Sequence, residues 1–193
     1  MLLQLIGTQL AKYLTKEHIY DDHYFKISID DIKSALEPGD VVLVEGQSRV
    51  SSAIQFITSS NWSHAAIFIG EAVSFSHCLI EVKAVDGCKF TDIDVYMHHN
   101  LRICRPMFLN KKKRKILIDY LIKKVGSKYD LKNIIDLIGY VFPTPPVPKK
   151  LRRNLIGIGA GDPTKAICST LIAEAFKEIG HPILPFKNNP ESI

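Results

Sequence analysis

The 193-residue chain has only four cysteines, Cys78, Cys88, Cys104 and Cys168, and no CxxC pair. So few, at such irregular spacing, exclude a disulfide framework and leave no structural zinc signature. Free thiols suit a reducing compartment. No apolar run approaches the ~18 residues that span a bilayer. The opening MLLQLIG lacks the basic leader and small-residue cleavage site of a secretory signal. The expectation is a cytoplasmic protein, or one exported without a classical signal peptide. Internal repeats are absent, and so are nucleic-acid-binding motifs and aromatic-interleaved basic faces, so no nucleic acid is expected as a partner. GIGAG (157–161) has neither the preceding strand nor the spacing of a dinucleotide fingerprint.

What is present is ordinary for a globular domain: 46% hydrophobic residues, 23% charged residues and a net charge of +5. That surplus is compatible with anionic lipid, a polyanionic polymer or nucleic acid, and selects none of them. Leu2, Ile6, Leu10 and Tyr13 or Leu14 share one face of an N-terminal amphipathic helix ending near Lys16. A turn at Pro38-Gly39 then introduces a strand from Asp40 to Val44, followed by a short helix from Ser51 to Thr58. HAAIFIG and CLIEVKA are two strand-like runs, Asp86-Gly87 is a turn, and NLRICRPM is a further strand. KKKRKILIDYLIKKVG places Ile116, Leu117, Tyr120, Leu121 and Val125 on one helical face, and DLKNIIDLIGYVF is another helix. Helix, strands and then helices predict an α+β domain with an antiparallel sheet. The expected division is an N-terminal helical extension over 1–35 and a main domain over 36–193. The latter carries a proline-rich, basic insertion at 142–163. Its PKKLRR stretch, flanked by apolar GYVF and NLIGI, suits peripheral contact with an anionic membrane.

KAICSTLIAEAF sets Cys168 at the start of an apolar helix, with Leu171, Ile172, Ala175, Phe176 and Ile179 at helical spacing and Gly180 and Pro182 as stop signals. A buried cysteine can be a small hydrophobe. At a helix N-terminus it can equally be a nucleophile, because the positive end of the helix favours the thiolate. A cysteine hydrolase also needs an imidazole and a group that orients it. His18, His23, His98, His99 and His181 lie in polar or terminal stretches and read as surface residues, and His77 is ambiguous. His64, at the first position of a buried strand, can face a groove from a rigid base. Glu81 interrupts an apolar strand, where a carboxylate is costly unless paired. Either it reaches the His64 ring from the adjacent strand, or it points out to solvent.

Taken in order, PGDVVLVEG, WSHAAIFIG, LIEV, VGSKYD and ICSTLIAEAF resemble the circularly permuted papain-like hydrolases of the NlpC superfamily, in the YiiX/YebB/YaeF-like amidase group. The resemblance covers about residues 36 to 180. It implies a small sheet packed against the cysteine helix, with Cys168 as nucleophile, His64 as base and then acid, and Glu81 orienting His64. It also implies that the Cys168 N–H serves an oxyanion hole and that no cofactor or metal is needed. Trp62 and Tyr129 are the expected substrate-binding residues. Thr170 stands where the family often has glutamate after Cys-Ser, which leaves the proposed triad untouched.

The resemblance implies hydrolysis of an amide in a peptide or an acylated amine. The same triad could serve a lipid acyl hydrolase or acyltransferase instead, and the basic apolar insertion leans that way. A third class, a non-catalytic binding domain on the same fold, would have no use for an intact triad.

Overall fold

Alternating burial makes β1 (Val41–Glu45) a two-faced strand, with Val42 and Val44 buried on one side and Val41 and Leu43 on the other. β2 (His64–Ala72) and β3 (Phe75–Lys83) are buried on both faces, which is why their apolar runs are nearly continuous. β4 (Gly87–Asp92) and β5 (Asn100–Cys104) complete a five-stranded antiparallel sheet in the order β4-β3-β2-β1-β5. The helices are α1 (Ile29–Ala35), α2 (Arg49–Thr58), α3 (Lys111–Lys124) and α4 (Ile167–Glu178), with a 3₁₀ turn at Ile93–Tyr96. This computed structural model describes residues 16, 27–83, 86–107, 109–127 and 167–183, with the backbone alone for Ile57, Ile167 and Cys168. Residues 2–15 of the expected N-terminal helix, the helix expected over 130–142 and the insertion at 142–163 lie outside the described residues.

Two cores sandwich the sheet. On one face, Ile67, Ile69, Ile80 and Val82 pack under Leu117 and Leu121 of α3 and under Leu171, Ile172, Ala175, Phe176 and Ile179 of the α4 segment. The helical spacing read around Cys168 is therefore a buried stripe, and each of its Leu, Ile and Phe side chains contributes about 1.5–3 kcal/mol of burial. On the other face, Val42, Val44, Ala66, Phe68 and Leu79 pack with Ile32 of α1 and with Ile93 and Tyr96 of the 3₁₀ turn. β4 and α1 go beyond the elements expected from sequence. In α3 the buried stripe is narrower than its apolar spacing suggested: Leu117 and Leu121 are buried, but Ile116 is 42% exposed.

The Pro38-Gly39 turn locks β1 to β2. Gly39 sits at φ +99°, and a Cβ there would meet Leu109 Cδ2 at 2.6 Å, so glycine is required. The Gly39 N–H donates to the Phe68 carbonyl and the Phe68 N–H to the Asp40 carbonyl, extending the ladder. The Asp40 side chain, 2% exposed, accepts from the Glu37 N–H at 2.8 Å and from Arg105 Nη2 at 2.8 Å, and Arg105 also reaches Glu37. Its burial is tolerable because both carboxylate oxygens have donors. Asp40→Ala strips those donors of their acceptor. Urea titration should show a loss of about 2–4 kcal/mol in unfolding free energy. A loss below about 0.5 kcal/mol would mean that the cluster does not hold the turn.

Candidate active site

β2 begins where β1 ends, and His64 is its first residue, paired in register with Val44. The entry is fixed by serines. The Ser63 N–H donates to the Val44 carbonyl at 3.1 Å, and Ser63 Oγ accepts from the Gly46 N–H at 3.0 Å. A Cβ on Gly46 would lie 2.8 Å from that same Oγ, so only glycine leaves room for the hydroxyl beneath the strand entrance. Ser48 caps α2 close by: its Oγ accepts from the Ser51 N–H at 3.1 Å.

Glu81 lies opposite Ala66 on β3, which makes it the diagonal neighbour of His64 on the same face. Of its two readings, solvated or paired, the geometry is the paired one. The side chain is fully buried, and Oε2 lies 2.7 Å from His64 Nε2. Oε2 also accepts from the Tyr96 hydroxyl. Oε1 accepts from Thr91 Oγ1 at 2.5 Å and stands 3.4 Å from Lys83 Nζ. Four partners fill the roughly four acceptor positions of a carboxylate. Burial by itself would raise the Glu81 pKa. The His64 hydrogen bond and charge, then the Lys83 charge and the Thr91 hydroxyl, more than reverse it, from 4.5 to about 2.

That charge state decides the tautomer. An ionised carboxylate only accepts, so the hydrogen in the His64–Glu81 contact belongs to Nε2 whether the ring is neutral or protonated. Proton exchange with any reacting group then falls to Nδ1. The His64 side chain is 19% exposed.

Cys168 is the second residue of α4, at its N-terminal end; its side chain lies outside the described atoms, as does Tyr129. α4 packs on the face of the sheet opposite to His64 and Glu81. Trp62 is half-buried two residues before His64, its N–H donating to Ser60 Oγ at 3.2 Å. The free thiols of Cys78 and Cys88 are buried, and burial raises both pKa values; Cys88 is pushed up to about 11 by burial and then by the Glu81 charge. Neither is an activated thiol.

Sequence reading missed Thr91, Tyr96 and Lys83 as partners of Glu81. Lys83, two residues on along the same strand face, was within reach of the alternation rule. Thr91 and Tyr96 belong to elements that follow the Asp86-Gly87 turn, and only the sheet pairing brings them to Glu81. His99, read as a surface residue, has its ring edge-on to Tyr96, with centroids 5.5 Å apart. Among the described residues, no three His, Cys, Asp or Glu side chains converge to hold a metal ion, and no helix is long and apolar enough to cross a membrane.

Comparison with known proteins identifies the family. Residues 35–137, more than half of the chain, match the family described as permuted papain-like amidase enzyme, YaeF/YiiX, C92 family. The matched span includes His64, Glu81, Thr91 and Tyr96 and ends before Cys168. A relative in Escherichia coli (strain K12), the probable lipoprotein peptidase YaeF, is 23% identical over 190 residues, covering 90% of this chain and 67% of the relative. The two-faced antiparallel sheet, the histidine at a strand entrance ahead of the cysteine helix, and the matched span together place the chain in the permuted papain-like amidase family of the YaeF/YiiX type.

Proposed function

We propose that the protein is a cysteine hydrolase of the amidase or peptidase type that works through Cys168, His64 and Glu81. The observation that carries this reading is the buried, ionised Glu81 held 2.7 Å from His64 Nε2, which turns Nδ1 of a strand-entrance histidine into a directed base. In the proposed reaction the Cys168 thiolate attacks the amide carbonyl carbon, forming a tetrahedral adduct whose oxygen faces the Cys168 N–H. The protonated Nδ1 of His64 gives its proton to the leaving amine as the C–N bond breaks, and a thioester remains. Water then adds to the thioester, His64 accepts its proton, and the acid leaves as the thiolate re-forms. Glu81 stays ionised throughout and stabilises the imidazolium. Trp62 and Tyr129 are proposed to border the groove. The relative's printed description, a probable lipoprotein peptidase, favours a peptide over a small acylated amine as substrate.

The lipid-ester reading and the anionic-membrane contact both rest on residues 142–163, outside the described ones, whereas the matched family is one of amidases. The division into an extension over 1–35 and a catalytic domain over 36–193 belongs to the same proposal. The family match begins at residue 35, while Ile32, 6% exposed, packs against the sheet, so α1 is anchored to the domain.

Brief iodoacetamide exposure followed by peptide mapping should label Cys168 far faster than Cys78, Cys88 or Cys104. Equal labelling of all four would remove the nucleophile. Glu81→Gln should lower kcat/KM by roughly 10²-fold or more, and His64→Ala further. The double variant should be little worse than His64→Ala alone, because the two act as one unit; losses that multiply would separate Glu81 from His64. Glu81→Gln should also lose stability in a way that reads the depressed pKa. A carboxyl whose folded pKa lies below its unfolded value stabilises fully above the latter, and loses that contribution as pH falls through the former. The difference in unfolding free energy between wild type and Glu81→Gln should shrink as pH falls from about 4.5 towards 2. A difference independent of pH across that window would contradict the charge assignment.

A further inference from the structure

Both His64 Nε2 and the Tyr96 hydroxyl bond to the same oxygen of Glu81, Oε2, while Thr91 and Lys83 hold Oε1. These contacts divide the labour. Thr91, Lys83 and full burial already fix the carboxylate plane, so Tyr96 is not needed to aim it. What the Tyr96 hydroxyl does is draw charge from the one oxygen that faces the imidazole. We propose that Tyr96 is a positioning residue that sets the strength of the His64–Glu81 pair, holding it weaker than a carboxylate alone would make it.

The proposal rests on the reading of His64 as the catalytic base, and it states how that base is tuned. An unattenuated buried carboxylate would stabilise the imidazolium so well that the ring would be slow to give up its proton to a leaving amine. A general acid–base group works best when its pKa lies near the operating pH. A hydrogen bond donated to the charged carboxylate spreads its charge, lowers its pull on the ring and moves the imidazole towards that range. The Tyr96 ring itself is 3% exposed, 6.2 Å from the His64 ring and 5.4 Å from Lys83 Nζ. Phenylalanine would keep the ring, its packing with Ile32, Ile93 and Ala66, and the Lys83 cation–π contact. Only the hydroxyl would go.

The groups that bear on this balance come from several elements. Glu81 and Lys83 belong to β3, and Cys88 and Lys89 to β4, Lys89 being opposite Glu81 and paired with Asp86. Tyr96 ends the 3₁₀ turn, and His99 meets its ring. Among the described residues, the hydrogen bonds to Oε2 come from Tyr96 and His64. Glu81, held low by the His64 hydrogen bond and charge, the Lys83 charge and the Thr91 hydroxyl, stays ionised near neutrality without the Tyr96 hydroxyl. The change would therefore appear on the ring.

The test is a histidine-ring NMR titration of Tyr96→Phe, in a Cys168→Ala background so that no thiolate couples to the ring. The His64 signal is identified by its absence in His64→Gln. Its midpoint should rise by about half a unit to one unit in Tyr96→Phe, with the thermal melt confirming that the fold is kept. With Cys168 restored, the alkaline limb of kcat/KM should move up by the same amount, because that limb follows loss of the imidazolium proton. A midpoint that is unchanged or lowered in the folded variant would overturn the inference. The titration needs no turnover, so it can succeed or fail independently of whether Cys168 is the nucleophile.

Discussion

A carboxylate with no exposed side-chain surface in the middle of an apolar strand is the constraint on which the rest of this structure turns. Glu81 could be neutral, or it could be surrounded; in a sheet between two hydrophobic cores there is no third course. The protein surrounds it. Thr91 from the edge strand, Tyr96 from the 3₁₀ turn, Lys83 from its own strand and His64 from the neighbouring strand each bring one donor. Satisfying that one group therefore ties together β2, β3, β4 and the turn after it. It also fixes the histidine in a single tautomer with Nδ1 directed away from the carboxylate. The contacts that meet the electrostatic requirement of folding are the same ones on which the base proposed at His64 depends.

The sheet's two faces give the candidate site its shape. α3 and α4 cover one face, while α1 and the 3₁₀ turn cover the other, where His64 and Glu81 lie. His64 and Glu81 thus belong to the layer opposite to α4, on which Cys168 is the second residue.

Much of this was legible in the sequence, for identifiable reasons. The stripe from Leu171 to Ile179 is buried throughout because a helix packed on a sheet must present one apolar face. His64 stood out because it opens a buried strand, and Glu81 because it interrupts an apolar run, where a carboxylate is costly unless it has partners. The network around Glu81 was not legible. β4, with Lys89 and Asp92 among its residues, has no apolar alternation strong enough to announce a strand. Thr91 acquires its role only when β4 pairs with β3, and Tyr96 only when the following turn folds under the sheet. Ile116 matched the helical period of α3 but stands at the border of a stripe set by Leu117 and Leu121, so it stays exposed. Local pattern fixes which residues want to be buried, whereas the partner that satisfies a buried polar group comes from tertiary pairing.

The proposal that Cys168 and His64 form one chemical unit is tested most directly by the thiolate itself. Its ultraviolet absorbance can be followed against pH as the difference between wild type and Cys168→Ala, which cancels the other cysteines. If the pair exists, the thiolate should be formed below about pH 7, stabilised by the His64 imidazolium and the helix N-terminus, and should titrate markedly higher in His64→Gln. A Cys168 that titrates near the ordinary thiol value of about 8.5, with or without His64, would contradict the account.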